Sequence, residues 1–300
     1  MSIQSIIVNM VLRHQFKRAG RGPLNVQKAR HMVNKRAKMN PPPPPDVKHT
    51  PVAAKPAHSL CAAEWLSVDN PKRVVLYFHG GGYFFCGLET HRPTCGYLAR
   101  TAQARVLSVD YRMAPENVFP AAVDDAVAWW KALLQEGVDP KNVVFAGDSA
   151  GGGLALACLV AARDQGLPLP AGAVLFSPWS DLSCSGETMK SLADADVMFN
   201  PESLPEAAAL YLAGQPANTP LASPLFADLT GLPPLMIHAS KHEILLADST
   251  RLHERAKAQG VQSELHLKAK MPHVWPTMLM LPEARQTLKH CGEFIARVTA

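Results

Sequence analysis

The sequence predicts an α/β protein with a mostly parallel central sheet and helices on both of its faces. Three observations predict it. From about residue 59 onward, short apolar runs alternate with amphipathic stretches of helical period. The runs are nearly continuous, as in Val74-Val75-Leu76-Tyr77-Phe78, which is how strands buried on both faces read. Between one such run, Val143-Val144-Phe145-Ala146, and an Ala/Leu-rich helical stretch stands Gly147-Asp148-Ser149-Ala150-Gly151. Strand, G-x-S-x-G, helix is the setting of a nucleophile elbow.

Taken in order, Ile3, Ile6, Ile7, Met10, Val11 and His14 fall at helical spacing, so residues 2–17 form an amphipathic helix whose apolar stripe must bury against something. A second helix is expected over 24–39, and Pro41 to Pro45 form a stiff polyproline segment. Residues 46–58 read as an extended loop. Strands are expected at 60–68, 73–79, 105–109, 142–146, 171–177, 235–239 and, more polar and near an edge, 262–268. Helices are expected at 92–102, 121–135, 152–163, 245–259 and 283–298. Residues 182–218 break this rhythm: they are rich in Ser, Asp, Ala and Pro, with helical pieces near 187–193 and 201–212. An insertion above the carboxyl ends of the strands sits where such sheets bind ligands. The organisation is therefore an arm of lid helices over 1–45, a core in two parts over 46–181 and 219–300, and a lid insertion over 182–218. The bland alternative for the insertion is a surface excursion.

The composition is that of an ordinary globular protein, with no run of about 18 apolar residues to cross a membrane. The start, 1–13, lacks a basic segment and a small-residue cleavage site, so no signal peptide is read. Six scattered cysteines without a C-x-x-C pair then indicate reduced, packed thiols, a cytoplasmic setting and no structural metal. The net charge is +5; nine Lys/Arg and no acid within residues 1–45 leave −4 on the rest. Such an arm can bind nucleic acid or anionic lipid, or can be the solvated face of its helices. With Phe16 as its one ring, nucleic acid is not the expected partner. The polar strand 262–268 could pair two copies through its edge.

Two motifs carry chemistry. A serine in so sharp a turn has strained backbone angles, and small neighbours let strand and helix pass it. The turn also sets Ser149 at a helix N-terminus, where developing negative charge is favoured. His79-Gly80-Gly81-Gly82 closes the strand 73–79. Consecutive glycines let bare N–H groups converge on one point, as an oxyanion hole requires. No G-K-[ST] follows, which argues against a phosphate loop.

The pairing of His79-Gly80-Gly81-Gly82-Tyr83 with Gly147-Asp148-Ser149-Ala150-Gly151-Gly152 resembles the hormone-sensitive-lipase-like esterases of the α/β-hydrolase fold. Asp110-Tyr111-Arg112-Met113-Ala114-Pro115-Glu116, Ser177-Pro178-Trp179-Ser180-Asp181-Leu182 and Ser223-Pro224-Leu225-Phe226-Ala227-Asp228-Leu229 are similar to recurrent stretches of that family. The resemblance runs from about residue 59 to the C-terminus. It implies Ser149 as nucleophile and the N–H groups of Gly81, Gly82 and Ala150 as oxyanion hole. It also implies a late histidine, here His273 in Met271-Pro272-His273-Val274-Trp275. The residues agree on chain order, Ser then acid then His. The family's acid motif begins with Asp where this chain has His242, so the acid is Glu243, as in a branch with Glu. Asp248, five residues on, is the competitor, with a bland use as a helix-dipole partner. Asp148 and 110–116 are read as structural, with Arg112 and Glu116 paired near the site. The pocket is expected from the lid with Tyr83, Phe84 and Trp275, with no long apolar interfacial surface. The implied activity is hydrolysis of short-chain acyl esters, with a small-molecule ester as partner and no cofactor. The alternative is a receptor-like, ligand-binding member of the same fold, in which the histidine is missing.

Overall fold

In the computed structural model, residues 1–18, 22 and 24–299 are described. Eight strands form one sheet in the order β1-β2-β4-β3-β5-β6-β7-β8. They are β1 (Lys48–Val52), β2 (Ala63–Ser67), β3 (Arg73–Phe78), β4 (Ala104–Val109), β5 (Val143–Asp148), β6 (Gly172–Phe176), β7 (Leu235–Ser240) and β8 (Ser263–Lys268). β1 and β2 run antiparallel to their neighbours, and β3 through β8 are parallel to one another. β8 lies at an edge, as its polar sequence predicts.

The helices cover both faces. On one, α3 (Leu88–Ala102) and α9 (Pro282–Val298) pack Cys95, Leu98, Leu288 and Phe294 against Val75, Tyr77, Val144 and Val174. On the other, α4 (Ala121–Gln135), α5 (Ala150–Asp164) and α8 (Leu246–Ala258) pack Trp130, Leu154 and Leu252 against Leu76, Phe145 and Ile237. Residues alternate between the two cores along each strand because successive side chains point to opposite faces. α3 begins earlier than its apolar period suggests: Thr90 reaches back, its hydroxyl bonding the N–H and the carbonyl of Gly87.

The arm forms α1 (Ile3–Leu12), a π-helical turn (Arg13–Arg18) and α2 (Val26–Ala37). The insertion carries α6 (Thr188–Ser191) and α7 (Ser203–Leu212). Two expectations fail here. Part of the loop 46–58 is β1, paired antiparallel with β2 from Lys48↔Ser67 to Val52↔Ala63. As an exposed edge strand it needs no apolar pattern, and its Pro51 is tolerated where only one side is paired. The apolar stripe of α1 is not buried either: Ile3, Ile6, Ile7, Met10 and Val11 are all exposed.

In the parallel register Phe78 lies opposite Gly147, Asp148 opposite Phe176, and Phe176 opposite His238. The segments that leave these strands, beginning at His79, Ser149 and Ser177, are therefore neighbours at one end of the sheet.

Candidate active site

Ser149 occupies the turn between β5 and α5 with φ 53° and ψ −122°, angles an L-residue adopts only under constraint. Its N–H donates to the Phe176 carbonyl at 2.8 Å, and its own carbonyl accepts from Gly153 and Trp179. The elbow glycines have no room for a side chain. A Cβ on Gly151 would lie 2.1 Å from the Phe78 carbonyl oxygen, and one on Gly147 would lie 2.3 Å from that of Gly151. Ala150 opens α5, so its N–H is among those with no partner inside the helix.

The glycine loop is held by three side chains. Gly81, at φ +116°, accepts from the N–H groups of Phe84 and Phe85, both at 3.0 Å. The imidazole of His79 stacks on Tyr111 with centroids 4.3 Å apart, and its Nδ1 donates to the Gly80 carbonyl at 2.7 Å. Burial, with His91 nearby, pushes His79 down to about 4, so the ring is neutral. Asp148 takes the Tyr77 hydroxyl at 2.6 Å, the Gly80 N–H at 3.1 Å and His91 Nε2 at 3.2 Å. Burial opposes its ionisation, but His91 and Tyr77 outweigh it and hold the carboxyl below its ordinary value. Asp148, read as structural, thus fixes the loop that carries Gly81 and Gly82.

His273 and Glu243 meet in the interior. His273 Nδ1 lies 2.5 Å from Glu243 Oε2, and both side chains are buried. The other carboxylate oxygen accepts from the Ser240 N–H at 2.7 Å and the Ser177 hydroxyl at 2.8 Å. With Nδ1 donating to the carboxylate, Nε2 is the lone-pair nitrogen, and among the described residues it has no hydrogen-bond partner. Phe199 of the insertion packs edge-on against the ring, with centroids 4.8 Å apart.

The competing acid is elsewhere. Asp248 lies in the first turn of α8, and one oxygen accepts the N–H groups of Ser180 and Asp181, each at 2.8 Å. Burial beside Asp181 raises its carboxyl to about 8. His242 lies in the loop toward Lys270, whose N–H it accepts at 3.1 Å.

Two residues with no catalytic signature in the sequence, Ser177 and Asp196, hold the acid loop. Ser177, at φ 45°, donates to Glu243 and accepts the Val274 N–H at 3.3 Å, tying the Glu243 and His273 loops together. Asp196 accepts the N–H groups of Met198 and Phe199 with one oxygen and that of Ile244 with the other. It thus couples the insertion to the residue after Glu243. Ser177 stands in the Ser177–Leu182 stretch already singled out, but nothing local marks Asp196.

One pairing is corrected. Arg112 binds Asp125 and not Glu116, while Glu116 pairs with Arg30 of α2 at 2.7 and 2.8 Å. Arg30 also donates to the carbonyls of Phe84 and Ala114. The three residues expected on the pocket wall are all at most 5 % exposed. Tyr83 stacks on Tyr211 of α7 at 3.8 Å, and Phe84 packs on Phe85. Trp275 lies among Met271, Leu281 and Ala284, its Nε1 donating to Thr287.

A family model described as the alpha/beta hydrolase fold matches residues 75–277. An acetyl-hydrolase of Streptomyces hygroscopicus is 42% identical over 241 residues, covering 80% of this chain and 81% of that protein. An esterase of Acinetobacter venetianus is 36% identical over 228 residues, 74% of each chain. Among solved structures, EstE5 soaked with p-nitrophenyl butyrate superposes with a TM-score of 0.92 at 41% identity, covering 100% of this chain and 99% of that one. An esterase from the bacterial hormone-sensitive lipase family does so with a TM-score of 0.92 at 39% identity and the same coverage. With its glycine loop, its strained elbow and these likenesses, the chain belongs to the hormone-sensitive-lipase-like family of esterases on the α/β-hydrolase fold.

Proposed function

We propose that this carboxylesterase hydrolyses short-chain acyl esters through Ser149, His273 and Glu243. The observation that carries the proposal is the buried Glu243–His273 hydrogen bond, which leaves the Nε2 of His273 with no hydrogen-bond partner among the described residues. An imidazole in that tautomer is a general base. Ser149 Oγ attacks the ester carbonyl carbon while Nε2 takes its proton. The resulting oxyanion is met by the N–H groups of Gly81, Gly82 and Ala150, each worth about 3 kcal/mol of barrier. As the tetrahedral intermediate collapses, His273 returns the proton to the leaving alcohol, and the acyl group stays on Ser149. Water, deprotonated by the same nitrogen, then releases the carboxylic acid. Glu243 holds the tautomer and stabilises the imidazolium; Ser177 and the Ser240 N–H hold Glu243.

The arm 1–45 and the insertion 182–218 act as the lid over this site. Tyr83, Phe84 and Trp275 form its packed backing, with Phe199 against the reacting imidazole. The relative soaked with p-nitrophenyl butyrate supports a short acyl chain. A homodimer through the open edge of β8 belongs to the same reading.

A series of p-nitrophenyl esters from acetate to palmitate tests the substrate class. kcat/KM is expected to peak among the short chains and fall as the chain lengthens; a maximum at palmitate overturns it. A fluorophosphonate probe should label Ser149 and leave Ser149→Ala unlabelled. Absence of both labelling and hydrolysis would favour the receptor-like alternative.

A further inference from the structure

The exposed stripe of α1 does not come from a loosely attached helix. Ser2 caps it, accepting the Ser5 N–H at 3.2 Å, and donates from its own N–H and hydroxyl to Glu283 at 2.6 and 2.9 Å. Asn9 donates to the Lys270 carbonyl at 3.0 Å. Ser5 and Leu12 are buried, and Val8 packs on the cluster of Met271, Trp275, Leu281 and Ala284. One face of the helix is thus docked on the segment that follows β8 and leads to α9. The other presents Ile3, Ile6, Ile7, Met10 and Val11, exposed by 75, 42, 51, 61 and 44 %. Their spacing of i, i+3, i+4, i+7 and i+8 places them on one stripe. A contiguous apolar stripe left in solvent on a firmly held helix marks an interaction surface.

The charge around it selects the partner. Residues 1–12 contain no charged side chain, and residues 13–38 contain nine Lys/Arg and no acid. Arg13, Lys28, Lys35 and Lys38 are exposed. An apolar helical face leading into a basic segment is the composition of a helix that lies in a lipid interface, where anionic headgroups attract the arm. A second copy fits this face poorly, because packing stripe on stripe brings two basic arms together, and one short helix face falls below the area of a stable interface. A nucleic acid offers nothing to five aliphatic side chains.

We infer that α1 is an interfacial helix that seats this protein on an anionic lipid surface, with Ile3, Ile6, Ile7, Met10 and Val11 entering the acyl boundary. The surface so contacted adjoins the segment that carries His273, since α1 rests on Met271 and Trp275. The π-helical turn meanwhile touches the insertion, Arg13 donating to the Asp194 carbonyl at 2.8 Å. Binding itself does not depend on the proposed hydrolytic chemistry.

The test is co-sedimentation of the full chain with vesicles of phosphatidylcholine alone or mixed with phosphatidylglycerol, read as bound fraction. Binding is expected on the mixed vesicles, weakening as salt rises. The double variant Ile7→Ser/Met10→Ser should bind them at least about tenfold more weakly. Its melting temperature should change little, because both side chains are already at least half in solvent. No binding to the mixed vesicles, or undiminished binding by the double variant, overturns the inference. So does equal, salt-independent binding to both compositions. Light scattering of the lipid-free protein gives a further check: a dimer that dissociates on Ile7→Ser/Met10→Ser would assign the face to a second copy.

Discussion

At the residue scale, the site depends on which carboxylate faces His273. Glu243 lies against the imidazole, and Asp248 is spent on the N–H groups of Ser180 and Asp181. Glu243→Gln offers the ring a donor as readily as an acceptor, which favours the wrong tautomer. We expect kcat to fall by up to ~10⁴ with native circular dichroism, as in other triads deprived of their acid. Asp248→Asn keeps an acceptor for the two N–H groups and should retain most turnover; the reverse pattern would reassign the acid. The elbow is equally specific. In Gly151→Ala the new methyl meets the carbonyls of Phe78 and His79, backbone at the end of β3 that is unable to yield. A loss of about 3 kcal/mol or more, or failure to fold, is expected in denaturant melts.

At the scale of elements, the arm is not an appendage to the core. Arg30 of α2 places its guanidinium on the carbonyls of Phe84 and Ala114 and on Glu116, so α2 holds both the glycine loop's exit and the 110–116 segment. Hydrogen bonding to Arg30 brings Glu116 down to about 2. The two partners of that ion pair should nevertheless respond differently. Glu116→Ala removes an exposed carboxylate and leaves Arg30 its two carbonyls. Arg30→Ala leaves those carbonyls without a donor, at a cost of about 1–3 kcal/mol. Melting curves should show Arg30→Ala lowered by several degrees and Glu116→Ala nearly unchanged; equal effects would show that the ion pair, not the carbonyl bonds, attaches α2. Asp196 plays the corresponding part for the insertion, reaching the N–H of Ile244 beside the acid.

At the scale of the whole molecule, Asp248 makes stability depend on pH. Burial, with Asp181 nearby, pushes its carboxyl up to about 8 in the fold, against an ordinary 3.8. A carboxyl raised by folding favours the native state fully below its unfolded value, and that contribution is lost as pH rises through the folded one. From about pH 4 to 8, therefore, Asp248 withdraws stability. The melting temperature of the wild-type protein should fall more steeply between pH 6 and pH 9 than that of Asp248→Asn, whose amide does not titrate. Parallel slopes would mean that Asp248 is already ionised at pH 6, held so by its two N–H donors.

What the sequence determined by itself was carried by local pattern. Continuous apolar runs marked the parallel strands, the helical period marked α4, α5, α8 and α9, and the spacing of small residues marked the elbow and the glycine loop. Each is a property of a few neighbouring residues and reads without knowing what they touch. β1 was not legible, because an exposed edge strand containing Pro51 has no core to pattern it. The outward stripe of α1 was not legible either: periodicity shows that a face exists but not which way it points. The rest was decided by contacts between distant segments. Ser177 meets Glu243 across 66 residues, and Arg30 meets Glu116 across 86. Asp248 is turned to the exit of β6 by the pairing of β6 with β7. Strand order and register set those distances, and they exist only once the sheet is assembled.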